Sequence, residues 1–301
     1  MTRIAVLGDS ETGAQIGCEY ALGGCSVIWL TGEQERSAQR AEGVLRLAST
    51  RGLAGPADLE RARALITHAA PGDGTEGRLT LIVEVLPERL EEKAAALGSL
   101  AAEHPEALLA TTGETITATA LGEAAGAGER IVTTRYGSPP LLNPLVELLA
   151  ARDTPPRLLD RVSQLLRAIG KRPVLVRREV PGMIGARLEL ALLRECASLL
   201  ERGVADAAAI DEVVRDGLAR SWAVAGPLQA AELEGLDLLR AIAAEVEAEG
   251  ATSPPGRDLL ASLPAMEPAL LEGLRERRDQ SLAAALRAER DRAARHSGRT
   301  G

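Results

Sequence analysis

Phenylalanine is absent from this 301-residue chain, and its aromatic rings are confined to Tyr20, Trp29, Tyr136 and Trp222. So few stacking platforms argue against single-strand nucleic-acid binding. Basic residues are outnumbered by acidic ones, 35 to 43, and the net charge of -8 disfavours nucleic acid or an anionic membrane as partner. The cysteines, Cys18, Cys25 and Cys196, are odd in number and have no metal-ligand spacing. A reduced, cytoplasmic setting is therefore expected. No apolar run reaches the ~18 residues of a transmembrane helix. The N-terminus, one Arg and then a strand-like run, lacks the shape of a signal peptide. Lysine occurs only at Lys93 and Lys171, so the abundance of Arg reflects composition more than function. There is no internal repeat and no low-complexity linker.

What is present is a core. Apolar residues make up 46% of the chain, enough for one large domain or two ordinary ones. "RIAVLG" and "SVIWL" read as buried strands, with helical spacing over 12–22 between them. Helices are expected over 34–49 and 56–65, a third strand over 79–86, and an amphipathic helix in "ERLEEKAAALGSLAAEH". "ALLATT", "RIVTTRY" and "RPVLVRR" read as further strands. Alternating strands and helices imply a Rossmann-type, doubly wound parallel sheet. From Ile184 to about Glu249 the pattern is helical, broken at "AVAGP", so a domain boundary is expected at 180/181. The charge-rich tail from Arg275 reads as a solvated helix.

The blocks "RIAVLG", "LIVEVLPERLEEK", "ALLATT", "ERIVTTRYGSPPLLNPLVELL", "GKRPVLVRREVPGMIGARL" and "GLARSWAVAGPLQAAELEGLD" occur in that order. Together they resemble the 3-hydroxyacyl-CoA dehydrogenase family over roughly residues 3–245. The resemblance implies an N-terminal NAD-binding Rossmann domain (1–180). It also implies a helical C-terminal domain (181–301), of the 6-phosphogluconate dehydrogenase C-terminal type, that usually mediates dimerisation. "GLARSW" and its sequel are as similar to the branch acting on small hydroxy acids as to the fatty-acid branch.

The family's Gly-x-Gly-x-x-Gly loop falls on Gly8, Ser10 and Gly13. Ser10 adds a side chain where backbone approaches a pyrophosphate, and suits an N-cap instead. Asp9 and Glu11 flank it. A carboxylate ~5 Å from a phosphate costs about 3 kcal/mol at an effective dielectric near 20, unless it turns into solvent. The ribose-binding acid expected after the second strand is Thr31, and Arg36 is several residues late for NADP. Glu88 and Lys93 match positions lining the cofactor cleft. These substitutions lead to the expectation that no cofactor binds tightly, with NAD(H) or NADP(H) as the ligand if the dehydrogenase alternative holds.

The family's catalytic His, within His-Phe-Phe-Asn-Pro, falls on Arg135 of "RYGSP", and its Asn on Ser138. Arg cannot act as a base at neutral pH. The Glu that orients the His is matched by Glu147, the substrate-contacting Ser by Glu114 beside Thr115, and a later Asn by Ala186. Two readings of these positions stand side by side. Arg135 and Glu147 could form a buried ion pair in the old His–Glu space. Alternatively Arg135 grips a carboxylate or enolate oxygen while Glu114 or Glu147 moves a proton. His68 and His104 are expected in or near loops on the far side of the sheet, and His296 in the tail, as surface residues. Trp222 reads as a wall of the domain interface, and the cysteines as small packing residues.

Three functions follow. One is a repurposed family member doing non-redox chemistry (proton transfer, dehydration or cyclisation) on a β-keto or β-hydroxy acyl group or a small acid. The second is a non-catalytic homologue or silent oligomer partner. The third is an NAD(P)-dependent dehydrogenase or ketoreductase with an unorthodox site. The expected partner is a small-molecule acyl or hydroxy/keto acid substrate, and the resemblance implies a homodimer.

Overall fold

A computed structural model describes residues 2–248, 267–277 and 280. His296, most of the charged tail and the last residue of the expected helical stretch lie outside the described residues. Two compact units divide between Ala191 and Leu192.

The first unit is an eight-stranded sheet of order β3-β2-β1-β4-β5-β6-β7-β8. Its strands are β1 (Arg3–Leu7), β2 (Ser26–Leu30), β3 (Ile66–Ala69), β4 (Leu81–Glu84), β5 (Leu108–Thr111), β6 (Ile131–Tyr136), β7 (Leu145–Ala150) and β8 (Arg172–Leu175). The helices are α1 (Glu11–Leu22), α2 (Gln34–Thr50), α3 (Pro56–Leu65), α4 (Leu90–Glu103), α5 (Ala118–Ala124) and α6 (Pro156–Ala168). The central strands are apolar at nearly every position because both faces are covered. Alternate side chains feed opposite layers. Ile4 and Val6 join Tyr20, Trp29 and Leu166 in one cluster, while Ala5 and Leu7 join Leu97, Leu109 and Leu121 in the other. The strand order reverses at β1 and β4, and the crevice beyond their carboxyl ends is where such sheets bind ligands.

Two strands differ from the sequence expectation. "ITHA" forms β3, parallel to β2, although it is short and carries Thr67 and His68. Its pairing to β2 outweighs its weak strand propensity. His68 is therefore a strand residue rather than a loop residue. Its Nδ1 lies 2.7 Å from Ser37 Oγ, its ring stands 5.6 Å from Trp29, and burial pushes its pKa down. "LVELLA" forms β7, which runs antiparallel to β6, and β8 then runs parallel to β7. The sheet is thus mostly rather than wholly parallel. His104 caps the C-terminus of α4.

The second unit is helical in its described part. Helix α7 (Gly185–Glu201) leads into it. Ala207–Glu212, a π-helical stretch Val213–Leu218 and Ala219–Trp222 follow, then Pro227–Glu234 and Leu236–Ala248. Its core is small, built on Ala225, Ala230, Leu233 and Leu274, with Trp222 packed against it.

Candidate active site

The loop after β1 keeps the shape of a phosphate cradle. Gly8 has φ 118°, and a Cβ there would lie 3.2 Å from the Val85 carbonyl carbon and 3.3 Å from Leu86 N. Only glycine fits this backbone conformation and approach without strain. Gly13 lets α1 close on the sheet, since a Cβ there would sit 2.6 Å from Val85 Cγ2. The buried Trp29 indole donates to the Gly8 carbonyl at 2.6 Å and pins the turn from beneath. Ser10 is the N-cap of α1, its Oγ accepting from Gly13 N at 2.9 Å. It occupies one first-turn donor and leaves the other first-turn amides, with the helix dipole behind them, for an anion.

Asp9 and Glu11 do not fill that anion site. Arg40, on α2, bonds Asp9 Oδ1 through Nη1 and lies 3.3 Å from Glu11 Oε1 through Nε. Arg36 Nε stands 3.6 Å from Asp9 Oδ2. Two guanidiniums from α2 thus face two carboxylates of the loop. These pairs offset part of the expected repulsion of a pyrophosphate. The sequence reading missed this because the partners lie 27–31 residues apart. The residues of the cradle therefore fit a dinucleotide.

Thr31 is buried, donates its N–H to the Ala69 carbonyl and accepts Glu33 N through Oγ1 at 3.0 Å. It braces the turn out of β2, and Glu33, exposed at the head of α2, is the carboxylate that the sequence reading overlooked. It stands twenty positions after Gly13, the spacing of a ribose-binding acid. Lys93 does not line the cleft. It is fully buried, with Nζ 2.9 and 3.0 Å from the two oxygens of buried Glu84 and 3.3 Å from Glu88 Oε1. Burial pushes Glu84 up despite Lys93.

Beyond β5 and β6 the expected catalytic positions gather in part. Arg135 and Glu147 are register partners across β6 and β7. The buried ion pair between them does not form. Glu147 accepts Ile184 N at 2.9 Å and Gly185 N at 2.6 Å, holding the first amides of α7. Arg135 Nη1 reaches the Gly182 carbonyl at 3.4 Å, and Nη2 lies 3.6 Å from Glu114 Oε1. A Cβ on Gly185 would fall 2.8 Å from Glu147 Oε1 and 3.1 Å from Arg135 Nη1, so the turn into α7 passes beside both. Arg135 Nε is buried with no partner among the described residues.

Glu114 is open to solvent, its side chain 64% exposed. Thr115 turns its hydroxyl to Glu88 at 2.9 Å instead of toward Arg135. Ser138 is exposed, and Ala186, half-buried, carries no polar group. Residues 113–117, Thr133, Leu149, Glu179 and Met183 line a small cavity beside this cluster. Met183 is buried with φ 48°, a strained conformation of the kind that collects at functional sites. Among the described residues no group of His, Cys, Asp or Glu could hold a metal ion. No described helix is long and apolar enough to cross a membrane.

Residues 3–180 match the model of the 3-hydroxyacyl-CoA dehydrogenase NAD-binding domain, and residues 182–266 that of the family's C-terminal domain. The chain is 31% identical over 179 residues to 5-formyl-3-hydroxy-2-methylpyridine 4-carboxylate 5-dehydrogenase of Mesorhizobium japonicum, covering 59% of this chain and 58% of that one. It is 30% identical over 238 residues to the L-carnitine dehydrogenase/betainyl-CoA thioesterase of Ruegeria pomeroyi, covering 78% and 48%. The chain thus spans only about half the length of these relatives. A crystal structure of FHMPC 5-dehydrogenase, described as an NAD+ dependent dismutase, superposes with TM-score 0.74 at 25% identity, covering 95% of this chain and 98% of that one. These matches overturn the expectation of a chain without a tightly bound cofactor. Of the loop substitutions that prompted it, the acids Asp9 and Glu11 are paired with Arg36 and Arg40. Its two domain matches and this geometry make the chain a member of the 3-hydroxyacyl-CoA dehydrogenase family.

Proposed function

We propose that the chain is an NAD(H)-dependent dehydrogenase or ketoreductase. Its substrate class is a small β-hydroxy or β-keto acyl group or acid. The observation that carries this reading is the phosphate cradle at Gly8, Ser10 and Gly13, with its acids neutralised from α2. Arg36 faces Asp9, and Glu33 stands at the head of α2, three residues after β2, which favours a free ribose over a 2′-phosphate. Bound NAD(H) supplies or takes the hydride at the carbinol carbon.

The protein's own part falls on Arg135 and Glu114. Arg135 keeps its charge and cannot take the hydroxyl proton, but its guanidinium, whose Nη2 reaches toward Glu114, suits the substrate oxygen as negative charge develops there. Glu147 is occupied by the α7 amides, which leaves Glu114 to exchange the proton. Both relatives named above are dehydrogenases, and the name of the first carries a carboxylate, in keeping with an acid as substrate. Stopped-flow reduction of keto acids and acyl thioesters with NADH tests the reading. NADH oxidation that is lost in Arg135→Ala and Glu114→Gln supports it. Wild-type binding of NADH with no turnover of any such substrate favours the non-catalytic homologue.

We also take the domains as a cofactor half (1–180) and a helical half (181–301), the latter joining two copies. Helix α7 has no buried residue, and Leu188, Leu193 and Val213 are 57%, 54% and 64% exposed. Surfaces of this kind mark association sites. Light scattering at a dimer mass supports this, and a monomer mass contradicts it. The three free cysteines are in keeping with a cytoplasmic setting.

A further inference from the structure

Glu88 matches a cofactor-cleft position, and its carboxylate is held chiefly by one loop. Oε1 accepts Glu114 N at 3.2 Å and forms an ion pair with Lys93 Nζ at 3.3 Å. Oε2 takes Thr115 Oγ1 at 2.9 Å and Ile116 N at 3.2 Å. Three hydrogen bonds thus take most of the roughly four lone-pair sites of the carboxylate. All three donors belong to one stretch, residues 114–116, which lies 26–28 residues along the chain from Glu88.

The ion-pair partner, Lys93, is itself fixed. It is fully buried and clamped by both oxygens of Glu84, which also accept Thr111 Oγ1 at 2.8 Å and Leu86 N. Thr111 Oγ1 in turn accepts Gly113 N at 3.1 Å. A continuous polar chain therefore runs from Leu86, whose backbone packs on Gly8, to the loop that bears Glu114. Satisfied buried networks of this kind hold one geometry rather than several.

We propose that Glu88 is a positioning residue: it fixes residues 114–116 so that Glu114 stands beside Arg135, and the buried Glu84–Lys93 pair holds Glu88 for that task. The proposal takes the role of Glu114 from the function proposed above, but the placement of the loop can be tested without cofactor or substrate. The measurement is residue-resolved amide hydrogen exchange on the cofactor-free full chain, for wild type, Glu88→Gln, Thr115→Val and Thr115→Ser.

The proposal expects Glu88→Gln and Thr115→Val to speed exchange at the 114 and 116 amides by about tenfold or more, with the β4 and β5 amides unchanged. Thr115→Ser keeps the hydroxyl and stays at the wild-type rate. A purely structural contribution would instead raise exchange across β4 and β5 together. Unchanged exchange at 114 and 116 in a folded Glu88→Gln protein overturns the proposal, as does a Thr115→Ser protein that behaves like Thr115→Val. If Glu88→Gln does not fold, the two Thr115 variants decide. NADH titration of the same variants completes the test. Affinity within about twofold of wild type is expected if the carboxylate serves the loop rather than the cofactor. An affinity loss beyond about tenfold with unaltered exchange returns Glu88 to the cofactor and contradicts the proposal. Failure of Glu114 as the proton-exchanging group would show only in turnover and leaves these readouts untouched.

Discussion

Glu147 lies directly opposite Arg135 in the β6–β7 register, yet its carboxylate accepts the amides of Ile184 and Gly185 rather than the guanidinium. Arg135 turns instead to the Gly182 carbonyl and toward Glu114. Where the family resemblance implies a His oriented by a Glu, this chain has a helix cap beside a cation with a spare donor.

That arrangement makes Glu147 a stability residue. Glu147→Ala leaves two part-buried amides without their acceptor, at a cost of about 2–3 kcal/mol. Urea denaturation checks it. A midpoint unchanged from wild type would show that the cap contributes nothing.

The cradle depends on an interdigitation that one methyl group disturbs. A Cβ at Gly13 meets Val85 Cγ2, and a β-branched side chain has little freedom to retreat. Gly13→Ala is expected to destabilise the protein by about 1–3 kcal/mol and to weaken NADH binding. Val85→Ala in the same background restores much of both. Thermal unfolding and fluorescence titration of the single and double variants provide the comparison.

Arg40 carries most of the compensation at the loop, being the partner of both Asp9 and Glu11. Arg40→Ala leaves two carboxylates beside the phosphate site. A single such charge at ~5 Å amounts to about 3 kcal/mol at an effective dielectric near 20, and partial exposure reduces it. A loss of at least about tenfold in NADH affinity is expected, narrowing at high salt. Titrations at two ionic strengths measure both.

Much of the fold is legible in the sequence because its signals are local. Buried strands show as apolar runs, Ser10 reads as the cap of α1, and the ordered blocks mark the family. The misread parts depend on distant partners. Nothing near Asp9 announces Arg40, nothing in "LVELLA" announces an antiparallel strand, and the groups around Glu88 come from two separate segments. Side-chain chemistry identified the candidate residues, but only the tertiary structure decides which of them are already occupied.

A buried pair on the other face of the sheet gives a pH dependence. Burial pushes Glu19 up to about 7 from an ordinary 4.5, against the lowering influence of its ion-pair partner Lys171. A carboxylate whose folded value is raised holds its proton more tightly in the fold than in the unfolded chain. Its contribution is complete below about 4.5 and is lost as pH rises through about 7. Between pH 5 and 8 the wild type is expected to lose on the order of 2 kcal/mol relative to Glu19→Gln. Parallel denaturation curves for the two proteins across that range would exclude it.

The central claim is that the loop after β1 binds a dinucleotide despite its two carboxylates. Calorimetric titration of NADH into the purified protein tests it most directly. The account predicts micromolar binding, about -8 kcal/mol, with NADPH weaker. No heat and no thermal shift at millimolar NADH would contradict it, and hydride transfer by this chain would then be untenable.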